Sequence, residues 1–91
     1  MERMQIELSA VNLAAGSHAN SAAYSYTNGS FSSVPFVMVG QLISSVGGEG
    51  ARLQFVPYDV TTTSFKIRVF NQSSSTASLT ATYEVLIIGA D

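Results

Sequence analysis

Apolar and polar residues alternate along much of this chain with a period of two. In the segment 65–69 (FKIRV) the apolar side chains fall on one face and both cations on the other, as in a strand with one buried face. Similar short segments, rich in β-branched and aromatic residues, are separated by turn-forming residues with no helical stretch between them. They predict six strands, over residues 4–13, 18–26, 34–43, 51–58, 65–71 and 77–88.

The connections between these strands carry turn signals. Asn28-Gly29 suits a tight hairpin turn, and Gly47-Gly48-Glu49-Gly50 a looser one. Connections this short favour antiparallel pairing in a meander-like order, because they cannot cross a sheet to a parallel neighbour. The sequence therefore predicts one domain over residues 1–91, an all-β, six-stranded antiparallel β-sandwich.

Two of the predicted strands are apolar on both faces. The segment 35–39 (PFVMV) has no polar side, and the last strand begins half-polar but ends in VLII. A strand buried on both faces needs cover on its second side. Either loops fold over it at the centre of the sandwich, or another chain covers it, and we favour the second. The residues predicted to form this oligomer or partner interface are Phe36, Met38, Leu86 and Ile88.

The N-terminal segment, residues 1–15, fits two kinds of structure. Ile6 and Leu8 alternate as in a strand, whereas Met4, Leu8 and Val11 are spaced as in a short helix. Two helical turns are too few to be stable alone, although they could trimerise as a stem. We expect a strand, with a stem or docking arm as the alternatives.

Composition excludes several classes of function. The 91 residues include 11% charged residues, four Lys and Arg in total, one His and no Cys. So few cations argue against nucleic-acid binding. A lone His without Cys argues against a transition-metal site, and disulfides are impossible. No apolar run reaches the roughly 18 residues that span a membrane, and the charged start is not a secretory signal. We expect a protein made in a host cytoplasm that reaches the outside by a route such as virion release.

The sequence offers no constellation for catalysis. His18 has no nucleophile motif around it, and the six acids are scattered. The Gly-rich turn at 47–50 lacks Lys and leads into a strand, so it cannot place a phosphate at a helix N-terminus. We therefore expect no enzymatic activity, no catalytic residue, no metal site and no cofactor.

Aromatic and cationic side chains are the remaining candidates for function. Exposed rings stack on sugars or anchor protein interfaces, although core packing is the alternative for each Tyr. Phe70 falls on the same face of its strand as Lys66 and Arg68. The residues predicted to contact a ligand are His18, Arg52, Tyr58, Arg68 and Phe70.

Three segments together resemble a known pattern. Residues 29–39 (GSFSSVPFVMV) are similar to the F-x-x-x-P-x-V-x-V strand of H-type lectin domains and of β-sandwich tips in bacteriophage tail fibres. Residues 60–71 (VTTTSFKIRVFN) resemble the V-T-x-x-G-F-x-V-x-V-x-N segment, with Ser64 in place of the usual Gly. Residues 83–89 (YEVLIIG) look like the closing strand. The resemblance covers residues 28–89.

This resemblance implies a six-stranded antiparallel sandwich that assembles as a homotrimer. In H-type lectins it also implies an N-acetylgalactosamine site between subunits, with a Trp in the last strand. This chain has no Trp, and Leu86 or Ile87 stands in that region. The family's acidic and Arg contacts have no clear counterpart either. The fold and the trimer therefore carry over better than the sugar site.

We accordingly expect a bacteriophage virion surface protein that acts by binding. It is either a tail-fibre, receptor-binding tip that contacts a host cell-surface glycan, or a small head-decoration subunit that contacts other virion proteins. The short chain leaves little room for a fibre shaft, which favours a small subunit or an excised tip. An H-type lectin-like carbohydrate-binding module and a bacterial structural or adhesion domain are the alternatives.

Overall fold

The computed structural model describes residues 1–43 and 53–89, which form strands and turns without any helix. Two antiparallel sheets share one core, so the predicted all-β class is confirmed. The seven strands are β1 (Glu2–Leu13), β2 (His18–Asn20), β3 (Tyr24–Ser25), β4 (Phe36–Leu42), β5 (Leu53–Tyr58), β6 (Ser64–Asn71) and β7 (Ala77–Ile88).

Sheet I consists of β1, β7 and β4, with β7 in the middle. Pairs such as Ile6 with Tyr83 and Val37 with Ile87 set its register. The register shifts once after Ala10 in β1 and once after Val39 in β4. Such irregularities locally increase the twist of a strand.

Sheet II is built around β6. β5 pairs along one edge of β6, and β2 and β3 pair one after the other along the opposite edge. β6 alternates regularly between half-buried and buried residues, as its sequence predicts. The predicted strand 51–58 is seen from Leu53 onward. Its first two residues and the Gly-rich turn at 47–50 lie outside the described residues.

The predicted second strand, 18–26, is divided into β2 and β3, so the predicted six strands become seven. Ser21 is where the pairing changes. Its backbone N–H donates to the Ile67 carbonyl at 2.9 Å, while its Oγ accepts the Ile67 N–H, also at 2.9 Å. A serine hydroxyl competes with the backbone for ladder hydrogen bonds in this way. Regular pairing with β6 resumes at Tyr24.

The predicted meander order is wrong, although the antiparallel pairing is confirmed. Among the described strands, only β5 and β6 are neighbours both in sequence and within a sheet. The turn at Asn28-Gly29 is present, with Gly29 at φ 95°, a left-handed conformation that glycine adopts without strain. It closes no hairpin, because β3 pairs with β6 and β4 pairs with β7. It begins the connection from sheet II to sheet I instead.

The hydrophobic core lies between the inner faces of the two sheets. Phe65, Val85 and Ile87 have no exposed surface. The ring of Tyr26 stacks on Phe65 with centroids 5.7 Å apart, and its hydroxyl donates to the Thr61 carbonyl at 2.8 Å. Both sheets contribute to this cluster, whose buried members are Ile6, Leu8, Tyr26, Val37, Phe65, Ile67, Val85 and Ile87.

The N-terminal segment is a strand, as predicted, and the alternative of a helical stem is wrong. Glu2, at its start, is buried. Its carboxylate accepts the backbone N–H groups of Thr27 at 2.7 Å and Asn28 at 3.3 Å. A buried carboxylate without partners is costly. These two bonds therefore fix the start of β1 against the turn that follows β3.

Asn71, the last residue of β6, is a second buried polar group, with 1% of its surface exposed. Its Nδ2 donates to the carbonyls of Leu13 and Ser75, each at 2.8 Å. Its Oδ1 accepts from the Ser73 N–H at 3.1 Å and from the Ser73 hydroxyl at 2.7 Å. This one side chain joins the end of β1 to the connection between β6 and β7.

Candidate functional site

The outer face of sheet II gathers most of the residues predicted to contact a ligand. Phe70 pairs with both His18 and Gln54, and Arg68 pairs with Asn20 on one side. Directly paired residues of antiparallel strands project to the same side of the sheet. We call this surface the aromatic–basic face, and it comprises His18, Asn20, Gln54, Val56, Tyr58, Lys66, Arg68 and Phe70.

Arg68 lies at the centre of the aromatic–basic face and is held from two sides. Its Nε donates to the Asn20 Oδ1 at 2.7 Å, and its guanidinium carbon lies 4.5 Å from the centroid of the Tyr58 ring. A guanidinium over an aromatic face is stabilised by the ring quadrupole. The two terminal nitrogens of Arg68 donate to none of the described residues. Arg68 is therefore oriented by the protein, and none of the described residues occupies its other four N–H groups.

His18 and Phe70 form a second aromatic group beside Arg68. Their ring centroids are 5.8 Å apart with the planes tilted by 43°. His18 is exposed and Phe70 is half-buried, so neither ring belongs to the core. The short strand β2 places His18 here because it continues the alternation that points Asn20 outward.

Lys66, the other cation of this face, is engaged within the chain. Its Nζ lies 3.2 Å from the Asp59 Oδ2. Asp59 begins the connection between β5 and β6 and has a φ of 51°. The hydroxyl of Thr61 accepts the Ser64 N–H at 3.0 Å and helps to shape that connection. The charge of Lys66 is thus largely balanced by Asp59, whereas Arg68 has no acidic partner among the described residues.

The side chains of the aromatic–basic face offer two kinds of contact to a ligand. Aromatic rings offer apolar area for a sugar ring or a flat side chain. The open side of a guanidinium can bind hydroxyl oxygens, and it binds a carboxylate with two parallel hydrogen bonds. The described residues contain no group of three or more His, Asp and Glu side chains that could hold a metal ion.

Four of the five predicted ligand residues lie together on this face: His18, Tyr58, Arg68 and Phe70. Arg52 lies outside the described residues. Sequence reasoning missed Asn20, which fixes Arg68. The available signal was its spacing, since Asn20 is two residues from His18 and must share its face in a strand.

The residues predicted to form an oligomer or partner interface meet on the outer face of sheet I. Phe36 pairs with Ile88, and Met38 pairs with Leu86. Phe36 is 63% exposed, Ile88 42% and Met38 41%, while Leu86 is half-buried. We call this patch the apolar face. Its residues contact one another across the β4–β7 pair, and the Arg3–Glu84 ion pair, with its charged atoms 3.9 Å apart, borders it.

A cleft of about 260 Å³ opens at the side of the sandwich, between β1 and the interrupted edge of sheet II. Leu8, Ile67 and Val69 form an apolar floor, and Glu7, Ser9 and Asn20 lie among its polar lining residues. Pockets for small molecules usually begin at about 300 Å³. None of the four predicted ligand residues that the structure describes lines the cleft, so we place the candidate site on the aromatic–basic face.

Searches of protein-family models, of characterised proteins and of solved structures find no match to this chain. Likeness to an H-type lectin or a tail-fibre tip therefore stays a prediction from the residue pattern. The described residues also hold no helix that is long and apolar enough to cross a membrane.

Proposed function

We propose that this protein is a non-catalytic binding component of a bacteriophage virion, and that its aromatic–basic face contacts a host cell-surface glycan. One observation carries the proposal. Four residues selected from the sequence as ligand contacts, from three separate strands, lie together on the outer face of sheet II. The all-β architecture also agrees with the fold that the resemblance implies.

The arrangement around Arg68 favours an acidic sugar within that class. Arg68 is positioned in advance by Asn20 and Tyr58, so little conformational freedom is lost when a ligand binds. Its free terminal nitrogens match a carboxylate in geometry and charge. The rings of His18 and Phe70 lie beside it and offer an apolar surface for the sugar ring.

A second candidate function is that of a head-decoration subunit, and the apolar face favours it. Exposed Phe36, Met38 and Ile88 form a contiguous apolar surface of the kind that marks protein contacts. In that case the partner is a virion shell protein. The same surface is also the candidate for the trimer contact that the resemblance implies.

The test is binding of the fluorescently labelled chain to a panel of neutral and acidic glycans and to intact bacterial cells. We expect saturable binding that free acidic sugar competes away. Arg68→Gln and Phe70→Ala should each weaken it by about tenfold or more, the scale of a lost charged or aromatic contact.

Lys66→Gln is the matched control, because it removes one positive charge from the same face at a position already paired with Asp59. It should leave binding within about twofold. Failure of the folded chain to bind any glycan or cell would overturn the receptor-binding proposal. Binding to purified virion shells that Met38→Ser abolishes would then establish the decoration role.

A further inference from the structure

One edge of the strand β1 is open among the residues that the structure describes. It pairs with β7 along one side from Glu2 to Ala10. Between residues 3 and 9, its other side makes no backbone hydrogen bond to any described residue. Such a long open edge is a template for pairing with another strand.

The register identifies which residues of β1 face this open edge. The Thr82 carbonyl accepts the Ile43 N–H at 2.8 Å, so the backbone of Thr82 is directed toward β4. Glu7 lies opposite Thr82. In an antiparallel pair, the backbone groups of two opposite residues either bond to each other or both point away from the partner strand. The backbone groups of Glu7 therefore point to the open edge. The register is unbroken from Glu2 to Ala10, so every second residue has the same direction. The backbone groups of Arg3 and Gln5 therefore also point to the open edge.

The charges along this edge are complementary to themselves. If a second copy of β1 runs antiparallel with Gln5 opposite Gln5, Arg3 of each copy lies opposite Glu7 of the other. Both side chains are free to do so, since Glu7 is exposed and Arg3 is 67% exposed with only a loose ion pair to Glu84. Opposite charges at directly paired positions stabilise a sheet, and like charges destabilise it.

Other registers lose this match. A shift of two residues in either direction places a charged residue opposite a neutral one. A shift of four places Arg3 opposite Arg3 or Glu7 opposite Glu7. The same centred register sets Met4 opposite Ile6 of the second copy on the inner face, where Ile6 is buried and Met4 packs against the core. The register centred on Gln5 therefore pairs the open backbone groups, places opposite charges together and places apolar residues together on the inner face.

We propose that two copies of this chain pair edge to edge through β1, antiparallel and centred on Gln5, so that the two three-stranded sheets become one six-stranded sheet. The contact is two-fold and uses the same surface on both copies. It does not depend on the glycan-binding proposal, because the aromatic–basic face lies on the other sheet.

The test is the native mass of the full chain at several concentrations, for the wild type and for charge variants. The wild-type mass should be an even multiple of the chain's 9.6 kDa. In the proposed complex, Glu7→Lys places a Lys opposite Arg3 of the other copy, and it does so at both symmetry-related positions. It should halve the mass at equal concentration and raise the dissociation constant by about tenfold or more. Thr80→Lys, which adds a Lys on the exposed side of β7 and away from the open edge, should change neither the mass nor the dissociation constant.

A mixture of two variants sharpens the test. Arg3→Glu alone places a Glu opposite Glu7 of the other copy. This repulsion should also halve the mass. Mixed with Glu7→Lys, it restores opposite charges at both positions, so the mixed two-fold complex should form again. A wild-type mass that is a single or odd multiple of the chain overturns the proposal. So does a mass that Glu7→Lys leaves unchanged, or a dissociation produced by Met38→Ser and not by Glu7→Lys.

Discussion

The outer faces of the two sheets arise from the same alternation of residues but differ in how their large side chains are held. On the aromatic–basic face, Arg68 is held by Asn20 and Tyr58, and Lys66 by Asp59. On the apolar face, Phe36 and Ile88 have mainly one another, and both stay substantially exposed. Among the described residues, the cations of the first face have partners within the chain, whereas the apolar side chains of the second remain largely exposed.

This difference distinguishes a surface suited to ligand recognition from one suited to assembly, which the exposure of the residues alone does not do. A face whose polar groups are already oriented is suited to a small, polar ligand, because little ordering is lost on binding. A face of exposed apolar side chains gains free energy when any matching surface covers it. The first favours recognition and the second favours assembly. Substitutions on the two faces, compared with the core between them, test this division.

The largest expected effect comes from β6, which carries a Phe on each side. Phe65→Ala empties a fully buried site and should lower the free energy of unfolding by about 3–5 kcal/mol. Phe70→Ala, on the aromatic–basic face, should cost about 1 kcal/mol or less. Urea unfolding of both variants measures the contrast. Equal losses would show that Phe70 is part of the folded core and is unavailable to a ligand.

A second comparison uses two asparagines, one buried and one on the protein surface. Asn71→Ala removes a buried side chain that donates to the Leu13 and Ser75 carbonyls and accepts from Ser73, and it should cost about 1–3 kcal/mol. Asn20→Ala, on the aromatic–basic face, should change stability by about 0.5 kcal/mol or less while weakening glycan binding through Arg68. Thermal or urea unfolding gives the first quantity and a binding titration the second. A large stability loss for Asn20→Ala would contradict its role as a positioning residue.

The sequence predicted the faces better than the connections. Alternation identified the outward residues of β6 and β7, because period two is a local property of each strand. It could not show that β3 pairs with β6 and β4 with β7, since pairing between distant segments depends on the whole fold. The Asn28-Gly29 turn was recognised, but a turn signal does not say whether its two arms meet.

The polar interior was also hidden from the sequence. Glu2 reads as an exposed terminal acid, yet it is buried because two backbone N–H groups of a distant turn meet its carboxylate. Asn71 ends the predicted strand 65–71, and nothing in that pattern indicates that its side chain is buried and bonds both to Leu13 and to the connection that follows β6. Such roles depend on partners far apart in sequence, and no local pattern marks them.

Alkaline pH should weaken the interior in a predictable direction. Burial raises the pKa of Tyr26 above its ordinary value of 10.0, and the Glu2 carboxylate raises it further. A group whose pKa is higher in the folded state contributes stability that is complete below its unfolded pKa and is lost as pH rises. The free energy of unfolding should therefore fall as pH rises through and beyond 10. Burial raises the pKa of Tyr83 as well and adds to this fall.

Tyr26→Phe tests the assignment, because it removes the ionisable group and keeps the ring on Phe65. It should lower stability at neutral pH, since the hydroxyl donates to the Thr61 carbonyl. Its stability should then decline less steeply than that of the wild type above pH 10. Parallel alkaline profiles for the two chains, measured by urea unfolding, would contradict the role of Tyr26.

The smallest expected effect on the single chain lies on the apolar face. Phe36→Ala and Ile88→Ala should each change the unfolding free energy by about 0.5 kcal/mol in dilute solution, because these side chains are 63% and 42% exposed. The same changes should reduce binding of a hydrophobic dye and any concentration-dependent assembly. A loss of about 2–4 kcal/mol at high dilution would mean that the side chains are already covered within one chain. The apolar face would then be core, and the division between a recognition face and an assembly face would fail.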